Sequence, residues 1–101
     1  MNFQLIHPGE IMEILTKRQG ILIDVRSREE YQTFHYPQAR NLPYDMLNVW
    51  MRRLPVNRPL VLYCEHGSTS LMAARKLGRA GYEVYTVIGG LDAMKKVDMP
   101  L

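Results

Sequence analysis

The chain has 101 residues, 47% of them hydrophobic, and a net charge of +3 at pH 7. That composition suits one compact domain with one core and leaves too little chain for a second. No apolar run nears the ~20 residues of a membrane span, the basic charge is too sparse for a nucleic-acid interface, and one cysteine forms neither an intramolecular disulfide nor a Cys-x-x-Cys centre. In chain order, residues 3–6 read as a first strand and not as a secretory signal, since no basic region precedes a long apolar stretch. Pro8 opens a helix in a tolerated first-turn position, with Ile11, Met12, Ile14 and Leu15 as its apolar face, and Gly20 closes it. Ile21-Leu22-Ile23 is a buried strand ending in Asp24-Val25-Arg26. Ser27 and Glu30 form a capping box for a short helix through about Phe34. Residues 35–43 are irregular, with a small strand near 39–42. Residues 44–53 carry helical apolar spacing through Met46, Leu47, Trp50 and Met51, which predicts a core-facing stripe. Pro55 and Pro59 bracket a turn before the apolar strand Leu60-Val61-Leu62-Tyr63. Glu65 to Ser70 is a polar, Gly-containing turn, and a helix follows over 71–80, with Leu71, Ala74, Leu77 and Gly78 on one stripe. Gly81 ends that helix, residues 83–88 give a further strand, and Gly89-Gly90 opens a last short helix through Lys96. Strands alternating with helices predict an α/β domain with a mainly parallel sheet of about five strands.

Cys64 stands where the apolar strand gives way to the polar turn. A thiol at such a junction faces the N–H groups of the turn and the positive end of the helix dipole, which favour thiolate over thiol. Cys64 is therefore a candidate nucleophile; the alternative is a small buried residue, since free cysteine is often buried. In an open parallel sheet, functional groups gather beyond the carboxyl ends of the strands. Three such ends are chemically notable: Asp24-Val25-Arg26, Cys64 and Gly89-Gly90. The three histidines have no metal-ligand spacing. Arg52, Arg53 and Arg58, and again Arg75, Lys76 and Arg79, read as solvated faces or as a field that draws small anions toward Cys64.

Taken together, these segments resemble a single-domain rhodanese, a sulfurtransferase. Leu22-Ile23-Asp24-Val25-Arg26 with Glu30-Tyr31 is similar to the family's first signature, and residues 35–43 are similar to its His-Ile-Pro-Gly-Ala segment. Residues 60–70 resemble the strand and active loop, whose family pattern is Cys-x-x-Gly-x-Arg-Ser. Ala73-Ala74, Leu77 through Gly81, and Val87-Ile88-Gly89-Gly90-Leu91 follow as the family's later segments do. The resemblance implies a sheet flanked by helices on both faces, and a double displacement in which the cysteine holds a sulfur as persulfide before an acceptor thiol or cyanide removes it. No cofactor or metal is implied beyond that covalent persulfide.

The persulfide loop implied by the resemblance comprises Glu65, His66, Gly67, Ser68, Thr69 and Ser70. Its N–H groups make an anion cradle, Gly67 lets the backbone curl around the sulfur, and one of the three hydroxyls caps the helix. His66 either supports the thiolate or moves a proton, or else faces solvent. Two departures stand out. Thr69 occupies the place of a loop Arg, and Glu65 the place of an Arg after the cysteine, which disfavours a doubly negative donor such as thiosulfate. Thr69 resembles the mercaptopyruvate-using branch, although Glu65 and His66 do not. The short loop without Arg argues against phosphatase or arsenate reductase chemistry. Glu65 reads as a specificity or partner-contact residue. The resemblance further implies that Asp24 and Arg26 support the loop, with Arg26 paired to Glu30, and that His35 and Arg40 border the pocket, Arg40 replacing some loop charge. Gln38 replaces a usual Gly. The leading expectation is a cytoplasmic sulfurtransferase taking sulfur from a small anionic donor to a thiol or cyanide. A sulfur-relay module loaded by a partner protein and a non-catalytic interaction domain are the alternatives.

Overall fold

The computed structural model describes residues 2–97. Five strands, β1 (Gln4–Ile6), β2 (Ile21–Asp24), β3 (Arg40–Asn41), β4 (Leu60–Tyr63) and β5 (Val84–Val87), form one sheet in the order β1-β5-β4-β2-β3. Every neighbouring pair is parallel. Five α-helices connect them: α1 (Ile11–Lys17), α2 (Arg28–Thr33), α3 (Leu47–Trp50), α4 (Ser68–Arg79) and α5 (Gly90–Met94). Leu47, Trp50, Ala73, Ala74 and Leu77 of α3 and α4 cover one face of the sheet, against Ile21, Ile23, Leu60 and Leu62. Ile11, Ile14, Leu91 and Met94 of α1 and α5 cover the other, against Leu22, Val61, Tyr63 and Val87. A central parallel strand covered on both faces should be apolar throughout, and all four residues of β4 are 0% exposed. Each large apolar side chain so buried contributes about 1.5–3 kcal/mol, which makes β4 a rigid platform for the residue after it.

The winding of the sheet places the crevice. The chain leaves β2 toward β3 on one side and leaves β4 toward β5 on the other, while β2 and β4 are neighbours. A gap therefore opens beyond the carboxyl ends of β2 and β4, the topological switch point. Asp24 is in register with Tyr63 there.

Three local expectations need correction. Residues 44–53 do not form one helix but a 3-10 turn (Tyr44–Met46), the short α3 and a second 3-10 turn (Met51–Arg53). A 3-10 turn has three residues per turn, not 3.6, so the apolar line is broken. Leu47 and Trp50 are buried, whereas Met46 is 52% exposed. The first helix begins as a 3-10 turn (Pro8–Glu10), and Gln19 at φ 55, not Gly20, takes the left-handed conformation at its end. Gly20 is needed for close approach instead, because a Cβ there would meet the Ile14 side chain at 2.9 Å. No helix of the described residues is long and apolar enough to cross a membrane.

Candidate active site

Cys64 follows β4 directly and is 4% exposed. The turn after it ends at Gly67, whose φ of +112 is a conformation that side chains with a Cβ rarely adopt. That twist aims the Gly67 N–H at Cys64 Sγ, 3.1 Å away, and the Ser70 N–H donates to the same sulfur at 3.3 Å. Gly67 is the N-cap of α4 and no side chain caps the helix. Ser68 is already inside the helix, so the expected hydroxyl cap is replaced by the sulfur itself. Cys64 Sγ accepts the N–H of the third helical residue, the bond a Ser or Asp cap normally takes. The sulfur thus sits at the positive end of a 12-residue helix with two main-chain donors on it, an arrangement that holds negative charge.

Side chains complete the setting. Ser70 Oγ lies 3.6 Å from Sγ, donates to the Gly67 carbonyl at 3.2 Å and accepts from Thr86 Oγ1 at 2.8 Å. Thr86, on β5, is a residue the sequence did not single out; its signal was the one aliphatic hydroxyl in a fully buried strand. The Gly89-Gly90 turn fastens the loop from behind. Leu91 N–H donates to the Cys64 carbonyl at 2.8 Å and Asp92 N–H to the Glu65 carbonyl at 3.2 Å. A Cβ on Gly90 would lie 2.5 Å from the first of these oxygens and 2.8 Å from the second. His66 is exposed and its Nδ1 pairs with Asp92 Oδ2 at 2.6 Å. It braces the loop tip against α5, and its ring is not among the hydrogen-bond partners of the sulfur.

At the end of β2, Asp24 is 0% exposed and Arg26 7% exposed. Asp24 Oδ1 accepts the Arg26 N–H at 2.9 Å, and Arg26 Nη2 pairs with Oδ2 at 2.8 Å. Burial pulls the Arg26 guanidinium down, but hydrogen bonds and charge from Asp24 outweigh it and the net shift is upward. Arg26 Nη1 reaches Glu65 Oε1 at 3.3 Å. The expected Arg26–Glu30 pair is therefore replaced by Asp24–Arg26–Glu65. Glu30 Oε1 instead completes the capping box with the Ser27 N–H at 3.3 Å.

These groups surround an open cleft of about 330 Å³ beside Cys64, with Thr69, Tyr44, Asp45 and Met72 on its walls. Tyr44 and Asp45 were missed from sequence because contacts distant along the chain, among them Leu42 N–H to the Asp24 carbonyl and Tyr44 N–H to the Val25 carbonyl, both at 3.0 Å, carry that segment to the crevice. Asn41 was missed as well. In register with Asp24 on β3, its Nδ2 donates to the carbonyls of Asp24 and Arg26 at 3.2 and 3.0 Å. Arg40, one residue earlier, points to the opposite face as strand alternation requires; it is exposed and does not line the cleft. His35 stacks on the Tyr31 ring at 3.6 Å between centroids and bonds the Tyr31 carbonyl through Nδ1, so it too lies outside the cleft. Neither basic cluster contributes a lining residue. Among the described residues no group of three His, Cys, Asp or Glu could hold a metal ion.

A model of the rhodanese-like domain matches residues 7–96. The chain is 32% identical to a rhodanese homologue of the extreme thermophile Thermus thermophilus, covering 89% of this chain and 99% of that one with a TM-score of 0.73. It is 29% identical to reduced CoADR-RHD of Bacillus anthracis (TM-score 0.82), where 92% of this chain covers 16% of that protein. It is 28% identical to an NAD-dependent persulfide reductase from A. fulgidus (TM-score 0.71), where 89% of this chain covers 15% of that protein. The chain thus spans about a sixth of the length of these two relatives and nearly all of the first. With a cysteine cradled at the switch point of a five-stranded parallel sheet and a family match over almost its whole length, the chain belongs to the rhodanese-like domain family.

Proposed function

We propose that the protein is a sulfurtransferase that carries a sulfane sulfur on Cys64. The donor is a small compound of the thiosulfate, 3-mercaptopyruvate or persulfide class, and the acceptor a thiol or cyanide. With a persulfide donor, the Cys64 thiolate attacks the outer sulfur of R–S–SH. A new S–S bond forms, the donor's S–S bond breaks, and R–S⁻ leaves, so no outside oxidant or reductant is needed. An acceptor thiolate then attacks the outer sulfur of Cys64–S–SH and the Cys64 thiolate departs. The observation that carries this reading is the pair of N–H groups, Gly67 and Ser70, converging on a sulfur that opens into a cleft. The thiolate is the nucleophile in such exchange, and these donors support it as nucleophile and as leaving group. The A. fulgidus relative, named as a persulfide reductase, lends further support.

The test is turnover of each donor class with cyanide and with a thiol acceptor, comparing wild type with Cys64→Ser of matching circular dichroism. Thiocyanate or sulfide formation by wild type and its loss in the variant are the expected results. Equal turnover by both proteins would remove the proposal. No turnover by either, with an unreactive thiol, would leave the family's fold serving as an interaction domain.

A further inference from the structure

The cleft beside Cys64 has a charge balance opposite to what a small anion needs. Its charged lining consists of Arg26, Glu30, Asp45 and Glu65, three carboxylates against one guanidinium. Most of that guanidinium is engaged. Its Nε and Nη2 go to Asp24 and its Nη2 also to the Phe34 carbonyl, and one of the two N–H groups of Nη1 goes to Glu65 at 3.3 Å. Lys95 borders an adjoining cleft that lies across the Arg26–Glu65 pair, and its amine sits 4.9 Å from the Phe34 ring centroid. An anionic donor that takes the Nη1 N–H held by Glu65 must displace that carboxylate and share the cleft with it. The uncharged lining combines the hydroxyls of Ser27 and Thr69 with Val25, Pro43, the Tyr44 ring and Met72, and Met72 is 45% exposed.

We propose that Glu65 is the charge selector of this site, acting through Arg26 as a positioning residue. By pairing with Nη1 it offsets the charge of the one guanidinium that lines the cleft. The sulfur is therefore exchanged fastest with persulfides whose carriers are uncharged or cationic, and a dianion such as thiosulfate is a slower donor. This deepens the sulfur-transfer reading above and rests on it. The chemistry is unchanged: Cys64–S⁻ and R–S–SH give Cys64–S–SH and R–S⁻, with the charge of R deciding the approach.

The experiment measures the rate of Cys64 loading, by intact mass, from three short peptides bearing a cysteine persulfide flanked by Lys, Gln or Glu, and from thiosulfate. It uses wild type and Glu65→Gln at low and high salt. Wild type is expected to load from the Lys peptide about tenfold or more faster than from the Glu peptide, a size in keeping with a single nearby charge, and the gap should narrow in salt. Glu65→Gln is expected to shrink that gap and raise thiosulfate loading by about tenfold, while loading from the Gln peptide shifts much less. A purely structural role for Glu65 would change all donors by one factor, and that result overturns the proposal, as does a wild-type rate indifferent to peptide charge. Should Glu65→Gln fail to fold, Asp45→Asn must move the Lys-to-Glu ratio in the same direction by a smaller amount, and no movement overturns the proposal. If no donor of any charge loads Cys64, the sulfur-transfer reading itself falls and takes this one with it.

Discussion

Replacing Gly90 with alanine tests whether the Gly-Gly turn exists to hold the cysteine loop. Gly90 has φ +58, and an L side chain in the left-handed region costs about 1–2 kcal/mol. The new Cβ would lie 2.5 Å from the Cys64 carbonyl oxygen and 2.8 Å from that of Glu65. Both obstacles are backbone, so one segment must move, and the Leu91 N–H to Cys64 carbonyl bond of 2.8 Å is stretched or lost. Such a loss adds about 1–2 kcal/mol. The sum, about 2–4 kcal/mol, corresponds to a melting-temperature drop of roughly 10–30 °C in a domain of this size. Gly81 supplies the control: its φ is +99, but a Cβ there meets nothing within 4 Å, so Gly81→Ala carries the conformational strain alone. Thermal melts of both variants and their persulfide-loading rates, each well below its own transition, make the comparison. Gly90→Ala should melt below Gly81→Ala and load roughly 10–100-fold more slowly, since small misplacements of a reacting group are that expensive. Equal melting of the two variants together with wild-type loading by Gly90→Ala would refute the reasoning.

Other perturbations have equally definite outcomes. Arg26→Leu strands the fully buried Asp24 carboxylate and should cost about 3–5 kcal/mol in urea denaturation, with Asp24→Asn in the same chain restoring part of it. Ser70→Ala removes the hydroxyl near Sγ and the acceptor of the buried Thr86 hydroxyl. Denaturation should show a loss of about 1–3 kcal/mol, while loading slows but persists, because the main-chain donors to the sulfur stay. Far from the site, Glu83 is held below the usual carboxylate range by hydrogen bonds first from Arg18 and then from Tyr85. Folding therefore favours its ionised form, so its contribution is present above the unfolded carboxylate's pKa and fades as pH falls through the folded one. Melting temperatures of wild type and Glu83→Gln should accordingly differ near neutrality and converge in acid.

Signals confined to a few consecutive residues proved readable. The Ser27 and Glu30 capping box is present, with Glu30 N–H donating to Ser27 Oγ at 3.2 Å, because both partners sit within one turn. The convergence of Cys64, Asp24-Val25-Arg26 and Gly89-Gly90 could be suspected from strand ends alone, and the parallel registers between β2, β4 and β5 bring it about. What sequence could not settle were choices between partners distant along the chain. Arg26 had carboxylates at positions 24, 30 and 65 within reach, and only the folded crevice, with Glu30 spent on Ser27, decides for Asp24 and Glu65. His66 was similarly undecided until α5 presented Asp92. Arg40 was misplaced because its face depends on the register of a two-residue edge strand, which carries too little pattern to fix it. The broken helix over 44–53 was hidden in the same way: its apolar residues fit a continuous α-helix, whereas contacts outside that pattern, such as Trp50 Nε1 to the Pro43 carbonyl at 2.7 Å and the Tyr82 hydroxyl to the Leu54 carbonyl at 3.3 Å, accompany the mixed geometry.

The decisive measurement is the intact mass of the protein after brief exposure to an uncharged cysteine persulfide, for wild type and Cys64→Ser side by side. Wild type should gain one sulfur atom, located on Cys64 by peptide mapping and removed by cyanide, and the variant should gain none. A wild-type chain that takes up no sulfur, or a variant that takes up as much, would contradict a persulfide carried on Cys64.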